Sequence, residues 1–233
     1  MRRRLFRRRP EAVLIGLALA AACGREGADP ATPAGSPLPA AAPAVSWTRV
    51  VFLGDSLTAG YGLSAAESYP SLLRQRLRSR GLDADVVNAG VSGDTTAGGL
   101  RRVDWALDGN VRVLVVALGG NDALRGLSTE ELRRNLAAII ERARARNITV
   151  VLAGMEAPPN LGRAYTSAFR QVYRDLAAEY GVELIPFLLE GVAGRPALNQ
   201  ADLIHPNAEG AARVADLVWP YVERAVRKAR RDD

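Results

Sequence analysis

Residues 111–153 read VRVLVVALGGNDALRGLSTEELRRNLAAIIERARARNITVVLA. The run 111–118 is almost wholly Val, Leu and Ala, as a strand buried on both faces of a parallel sheet requires. The stretch 128–146 is helical. Ser128 and Glu131 stand at capping-box spacing, and Leu132, Leu136, Ile139, Ile140 and Ala143 fall on one stripe. A second β-rich run follows at 149–153. Strand, helix and strand in that order form a parallel unit with a right-handed crossover.

The alternation extends outward in both directions. Further apolar runs occupy 49–53, 85–88 and 182–187. Helical patterns occupy 70–80, with Pro70 in its first turn and Gly81 after its end, and 164–180, ending at Gly181. A last one spans 207–230, where Pro220 is expected to introduce a kink. The expected fold class is α/β. The architecture is a three-layer α/β/α, doubly wound, flavodoxin-like domain of about five parallel strands, occupying 47–233. In such sheets the ligand site lies beyond the carboxyl ends of the strands.

Polar or glycine-rich segments stand at those ends. They are Gly54-Asp55-Ser56-Leu57, Asn88-Ala89-Gly90-Val91-Ser92-Gly93-Asp94, Gly119-Gly120-Asn121-Asp122 and, near the C-terminus, Asp202-Leu203-Ile204-His205-Pro206. Ser56 on a strand-to-helix turn is placed to act as a nucleophile, and a serine needs a base. His205 is the only histidine, and Asp202 precedes it by three, a spacing that shares a face on a helical turn. Gly93 lets its N–H approach a substrate, and Asn121 offers a side-chain N–H, so the two supply oxyanion donors. Each residue alone has a plainer reading: Ser56 or Asp202 as a helix cap, Gly93 or Asn121 as a turn residue. The four segments together, each at the end of an element, favour chemistry.

Taken together, these segments resemble the SGNH hydrolases, also called GDSL esterases/lipases, and especially their bacterial thioesterase/lysophospholipase and arylesterase branch. The matching stretches are GDSLTAGYGL at 54–63, NAGVSGDTT at 88–96, LGGNDALRG at 118–126, GMEAPPNLG at 154–162 and DLIHPNAEG at 202–210. The resemblance implies the SGNH hydrolase fold and a serine esterase working through an acyl-enzyme. Ser56 would be the nucleophile, His205 the base and Asp202 the orienting acid. The N–H groups of Ser56 and Gly93 and the Asn121 side chain would form the oxyanion hole. It implies no cofactor and no metal. The substrate would be a small acyl ester, aryl ester, thioester or lysophospholipid. Leu57, Tyr61, Leu124, Met155, Pro158 and Ile204 flank the segments and are candidates for an acyl groove, with core packing the rival reading of each. Two other functions remain open: a cell-envelope sugar O-deacetylase of the same fold, and a non-catalytic acyl-binding envelope lipoprotein. The glycines from Gly60 mimic a dinucleotide fingerprint, but they begin seven residues past Leu53, beyond the tight first turn that fingerprint needs. No G-x-S-x-G elbow is present.

The N-terminus has a different character. Arg2, Arg3, Arg4, Arg7, Arg8 and Arg9 precede an apolar stretch at 12–22, which reads as a signal peptide at 1–22. Ala20-Ala21-Ala22-Cys23 resembles a bacterial lipoprotein signal, with Ala20 where leucine is usual. On that reading Cys23 is lipidated and anchors the chain to a membrane; the alternative is ordinary cleavage and a soluble exported protein. Residues 24–46 contain 15 Ala, Pro or Gly in 23, so 23–46 reads as a disordered tether. The chain is expected to be exported, periplasmic or in the cell envelope.

The charge follows from this organisation. The whole chain carries +6, but residues 1–22 hold six Arg and one Glu, so removing them takes away +5 and leaves a nearly neutral chain. A nucleic-acid partner therefore loses its main support. One Cys and one His exclude a disulfide framework and a Cys/His zinc cluster.

Overall fold

A computed structural model describes residues 48–82 and 84–232. The expected signal peptide and tether, with Cys23, lie outside the described residues.

The five apolar runs are strands: β1 Thr48–Gly54, β2 Ala84–Gly90, β3 Val111–Ala117, β4 Thr149–Ala153 and β5 Glu183–Ile185. All pair in parallel, in the order β2-β1-β3-β4-β5. Val50 to Leu53 and Val113 to Val116 are completely buried, as helices on both faces of a sheet demand. β5 is shorter than the apolar run 182–187 because it is an edge strand that meets Pro186, which has no N–H to donate.

The long helices are α2 Tyr69–Ser79, α3 Thr96–Ala106, α5 Thr129–Arg144, α6 Arg163–Tyr180 and α7 Ala208–Arg231. Two short ones, α1 Ser56–Ala59 and α4 Gly120–Leu124, begin just beyond the ends of β1 and β3. α3, α5 and α6 pack side by side, and α2 packs against α7. Right-handed crossovers put these two groups on opposite faces, because the chain runs one way from β1 to β2 and the other way from β2 onward. α7 continues through Pro220 without a break.

The sequence pattern did not suggest α3. Its TAGGLRRVDWA segment carries two glycines inside the helix, each unfavourable by about 1 kcal/mol relative to Ala. Packing explains them. A β-carbon on Gly98 would lie 2.4 Å from Asp94 Oδ1, and one on Gly99 would lie 2.2 Å from Leu118.

The reversal of strand order falls between β1 and β3. The segments leaving these two strands diverge there and open a crevice. They are the segments that carry Ser56 and Asn121.

Candidate active site

Ser56 is the first residue of α1, and Asp55 is its N-cap: Asp55 Oδ1 accepts the Leu57 N–H at 3.0 Å. The capping role open to Ser56 is thus filled by its neighbour, which leaves the Ser56 hydroxyl free for another partner. Its partner is His205, 149 positions away, with Nε2 2.9 Å from Ser56 Oγ. His205 Nδ1 in turn lies 2.7 Å from Asp202 Oδ2.

Asp202 and His205 do not meet on a helical turn, as the spacing suggested. Residues 202–205 form a loop turn in which Asp202 Oδ1 accepts the N–H groups of Ile204 at 2.9 Å and His205 at 3.0 Å. One carboxylate therefore shapes the backbone with one oxygen and holds the imidazole with the other. These donors, the His205 N–H foremost, then the His205 ring and the Ile204 N–H, hold the Asp202 carboxyl down at about 2. Asp202 is ionised and can only accept, so Nδ1 carries the ring proton and Nε2 presents its lone pair to Ser56. Leu203 absorbs the turn with φ +59°, a left-handed conformation that costs an L-residue of this size on the order of 1 kcal/mol. Asp202 does not cap α7; Asn207 does, accepting the Gly210 N–H at 3.0 Å.

Gln200 ties this turn to the Ser56 segment. Its N–H donates to the His205 carbonyl at 2.8 Å. Its Nε2 donates to the carbonyls of Tyr61 at 2.7 Å and Pro206 at 3.0 Å. The Tyr61 ring lies 4.7 Å from the imidazole, tilted by 43°.

Asn121 sits in the first turn of α4. Its Nδ2 donates to the Asp94 carbonyl at 2.9 Å and lies 3.4 Å from Asp55 Oδ2. Two tyrosines of α6 hold the loop that bears it: Tyr173 Oη donates to the Leu118 carbonyl at 2.9 Å and Tyr165 Oη to the Leu127 carbonyl at 2.7 Å. Gly93 has φ +83°, which only glycine adopts freely.

Ser56, Gly93, Asn121 and His205 line one cleft of about 650 Å³, and all six candidate groove residues line it with them. Met155 is also part of the core, whereas Tyr61, Leu124 and Ile204 are exposed at the mouth. Phe187, Leu189 and Leu203 add apolar wall that the sequence motifs did not single out.

Asp55 was also not singled out. It is 3% exposed, and burial lifts its carboxyl to about 6 against the opposing pull of the Leu57 N–H and His205. Its signal in the sequence, an Asp ahead of a turn serine, is that of an ordinary cap.

Residues 52–213 match the GDSL-like lipase/acylhydrolase family. The chain belongs to that family. Among its acylhydrolase relatives, Esterase TesA of Pseudomonas aeruginosa is 43% identical over 175 residues, covering 75% of this chain and 87% of TesA. Thioesterase 1/protease 1/lysophospholipase L1 of Escherichia coli strain K12 is 40% identical over 168 residues, covering 72% of this chain and 79% of that protein. The solved structure of AlinE4, an SGNH-hydrolase family esterase, matches with a TM-score of 0.65 at 47% identity, covering 77% of this chain and 96% of AlinE4. The five-stranded parallel sheet between helical layers is accordingly the SGNH hydrolase fold.

Proposed function

We propose that Ser56, His205 and Asp202 hydrolyse acyl esters and thioesters by two-step acyl transfer. The chain is a carboxylic ester hydrolase of the acylhydrolase family, in keeping with relatives named esterase and thioesterase. The observation that carries the assignment of residues is the 2.9 Å approach of His205 Nε2 to Ser56 Oγ, backed by Asp202 at 2.7 Å on the other ring nitrogen.

The steps follow from that geometry. His205 Nε2 takes the Ser56 hydroxyl proton as Oγ bonds to the carbonyl carbon, and the C=O electron pair moves onto oxygen. The N–H groups of Ser56 and Gly93 and the Asn121 Nδ2–H receive this oxyanion. The Ser56 N–H is in the first turn of α1, where it has no intrahelical acceptor. A lost donor of this kind typically costs about 3 kcal/mol of barrier. The tetrahedral species collapses, the leaving alkoxide or thiolate takes the proton from His205, and water repeats the sequence on the acyl-enzyme. Asp202 stays ionised throughout and stabilises the imidazolium.

Leu57, Leu124, Met155, Pro158 and Ile204 supply an apolar wall suited to the acyl chain of a small ester or lysophospholipid. The leader and Cys23 support an exported chain held at a membrane by lipid, with the cleft working in the cell envelope. Among the described residues no helix is long and apolar enough to cross a membrane.

Ser56→Ala is the test. It is expected to abolish hydrolysis of p-nitrophenyl esters and labelling by a fluorophosphonate while leaving the melting temperature essentially unchanged. Wild-type turnover by this variant would refute the assignment.

A further inference from the structure

We propose that Arg102 is a positioning residue for the oxyanion donors, acting chiefly on Asn121 through the backbone of Asp94. This rests on the roles given above to Ser56, Gly93 and Asn121. Arg102 lies on α3 behind the cleft and does not line it. Its guanidinium is largely buried and spends all three of its nitrogens on three different segments. Nε donates to Asp94 Oδ2 at 2.6 Å, Nη1 to the Ala89 carbonyl at 2.7 Å and Nη2 to the Gly54 carbonyl at 2.8 Å. The ion pair with Asp94 is shielded, its side chains 18% and 16% exposed.

Each of these contacts ends on a segment that leads into an oxyanion donor. Gly54 stands two residues before Ser56 and ends β1. Ala89 lies near the end of β2, and the segment leaving that strand carries Gly93. Asp94 follows Gly93 directly, and its carbonyl accepts the Asn121 Nδ2–H at 2.9 Å. The path is thus Arg102 to the Asp94 carboxylate, and the Asp94 carbonyl to the Asn121 amide. Gly98 completes the seat, because any β-carbon there would displace the Asp94 carboxylate.

A planar, permanently charged fork suits this task, and a lysine ammonium could not reach the three acceptors in their fixed directions. Without the fork the two carbonyls and the carboxylate lose their common anchor, and the Asp94 segment is free to shift. A misplacement of about 1 Å at a donor is enough to cost catalysis heavily.

The test is a double-mutant cycle in the full chain, using hydrolysis of p-nitrophenyl butyrate. Arg102→Ala is expected to lower kcat about 10- to 100-fold while KM changes less than about threefold. In the Asn121→Ala background the same substitution should cost at least about fivefold less, because the donor it positions is already gone. Guanidinium ion at non-denaturing concentration should restore part of the activity of Arg102→Ala and none to the double variant. Equal fold losses on both backgrounds, or a loss carried by KM, would overturn the proposal. If Arg102→Ala does not fold, Arg102→Lys keeps the charge without the fork and enters the same cycle. Ser56→Ala, run alongside, separates the two levels: turnover by that variant refutes the underlying roles and the inference with them, whereas additive losses with Ser56→Ala inactive refute the inference alone.

Discussion

Asp55→Asn should change how stability depends on pH, with a sign and size that the structure fixes. In the unfolded chain the Asp55 carboxyl titrates at its ordinary value of 3.8, and in the folded chain at about 6. Between these values the folded state holds a proton that the unfolded state has released, so stability falls as pH rises. Below 3.8 both states are protonated and the cost is absent; above about 6 both are ionised and it is fully present. A displacement from 3.8 to about 6 corresponds to about 3 kcal/mol, and roughly 2 kcal/mol of it accrues between pH 4 and pH 7. The carboxyl is almost wholly buried, so solvent screening removes little of this. Asn keeps an oxygen for the Leu57 N–H but cannot ionise. Any constant packing or hydrogen-bonding cost of the change shifts the whole curve without altering its slope. The measurement is urea unfolding of wild type and Asp55→Asn across that pH range. The variant's stability relative to wild type should climb by roughly 2 kcal/mol from pH 4 to pH 7. Parallel curves would show that Asp55 ionises as an ordinary surface carboxyl, and the electrostatic description of the site would be wrong.

Two further predictions concern the loop that carries Asn121 and the N-terminus. Gly119 has φ +117°, and a β-carbon there would lie 1.9 Å from Tyr173 Oη, so Gly119→Ala combines backbone strain with overpacking. The expected loss of stability is roughly 2–4 kcal/mol, read from the denaturant midpoint, with activity falling as Asn121 moves. Cys23→Ser should abolish incorporation of labelled palmitate and shift the protein from the membrane to the soluble fraction of its host. A wild-type chain that takes up no label would instead favour ordinary signal cleavage.

The sheet is legible because burial on both faces leaves β1 and β3 almost no freedom of composition. Val50, Val51, Phe52 and Leu53 have no solvent face to decorate with polar residues, so the run is unmistakable even in isolation. α3 shows the opposite case. Gly98 and Gly99 are chosen for the room they leave to Asp94 and to Leu118, and no local periodicity records such neighbours. The turn at Asp202 lies between the two. Spacing of three correctly brings the carboxylate to the imidazole, but the backbone is an Asp-capped loop with Leu203 in a left-handed conformation. A helical turn and this loop place the same two side chains together, so spacing alone cannot separate them.

The groups proposed to react and the groups that hold them differ in how visible they are. Proton transfer at a serine accepts few residue types, and a chain with one histidine offers one imidazole. A parallel sheet brings all its carboxyl ends to one side, so residues 149 positions apart are neighbours by topology before any contact is seen. Holding a backbone carbonyl has no such chemical restriction, because any N–H or O–H of suitable reach can do it. Arg102 is one of 30 arginines in the chain, and Asp55 is one of many acids beside a turn. What sets them apart is burial and direction: a fork spread over Gly54, Ala89 and Asp94, and a carboxylate sealed beneath Ser56. Both burials oppose stability unless the partners are exact, since a guanidinium without acceptors or an ionised carboxylate without enough donors is costly in the interior. Each nitrogen of Arg102 has an acceptor, whereas Asp55 is under-matched, with the Leu57 N–H at 3.0 Å and only a long approach from Asn121 at 3.4 Å. The unfavourable burial at this site therefore lies in the residue next to Ser56, and the Arg102 fork lies behind it on α3.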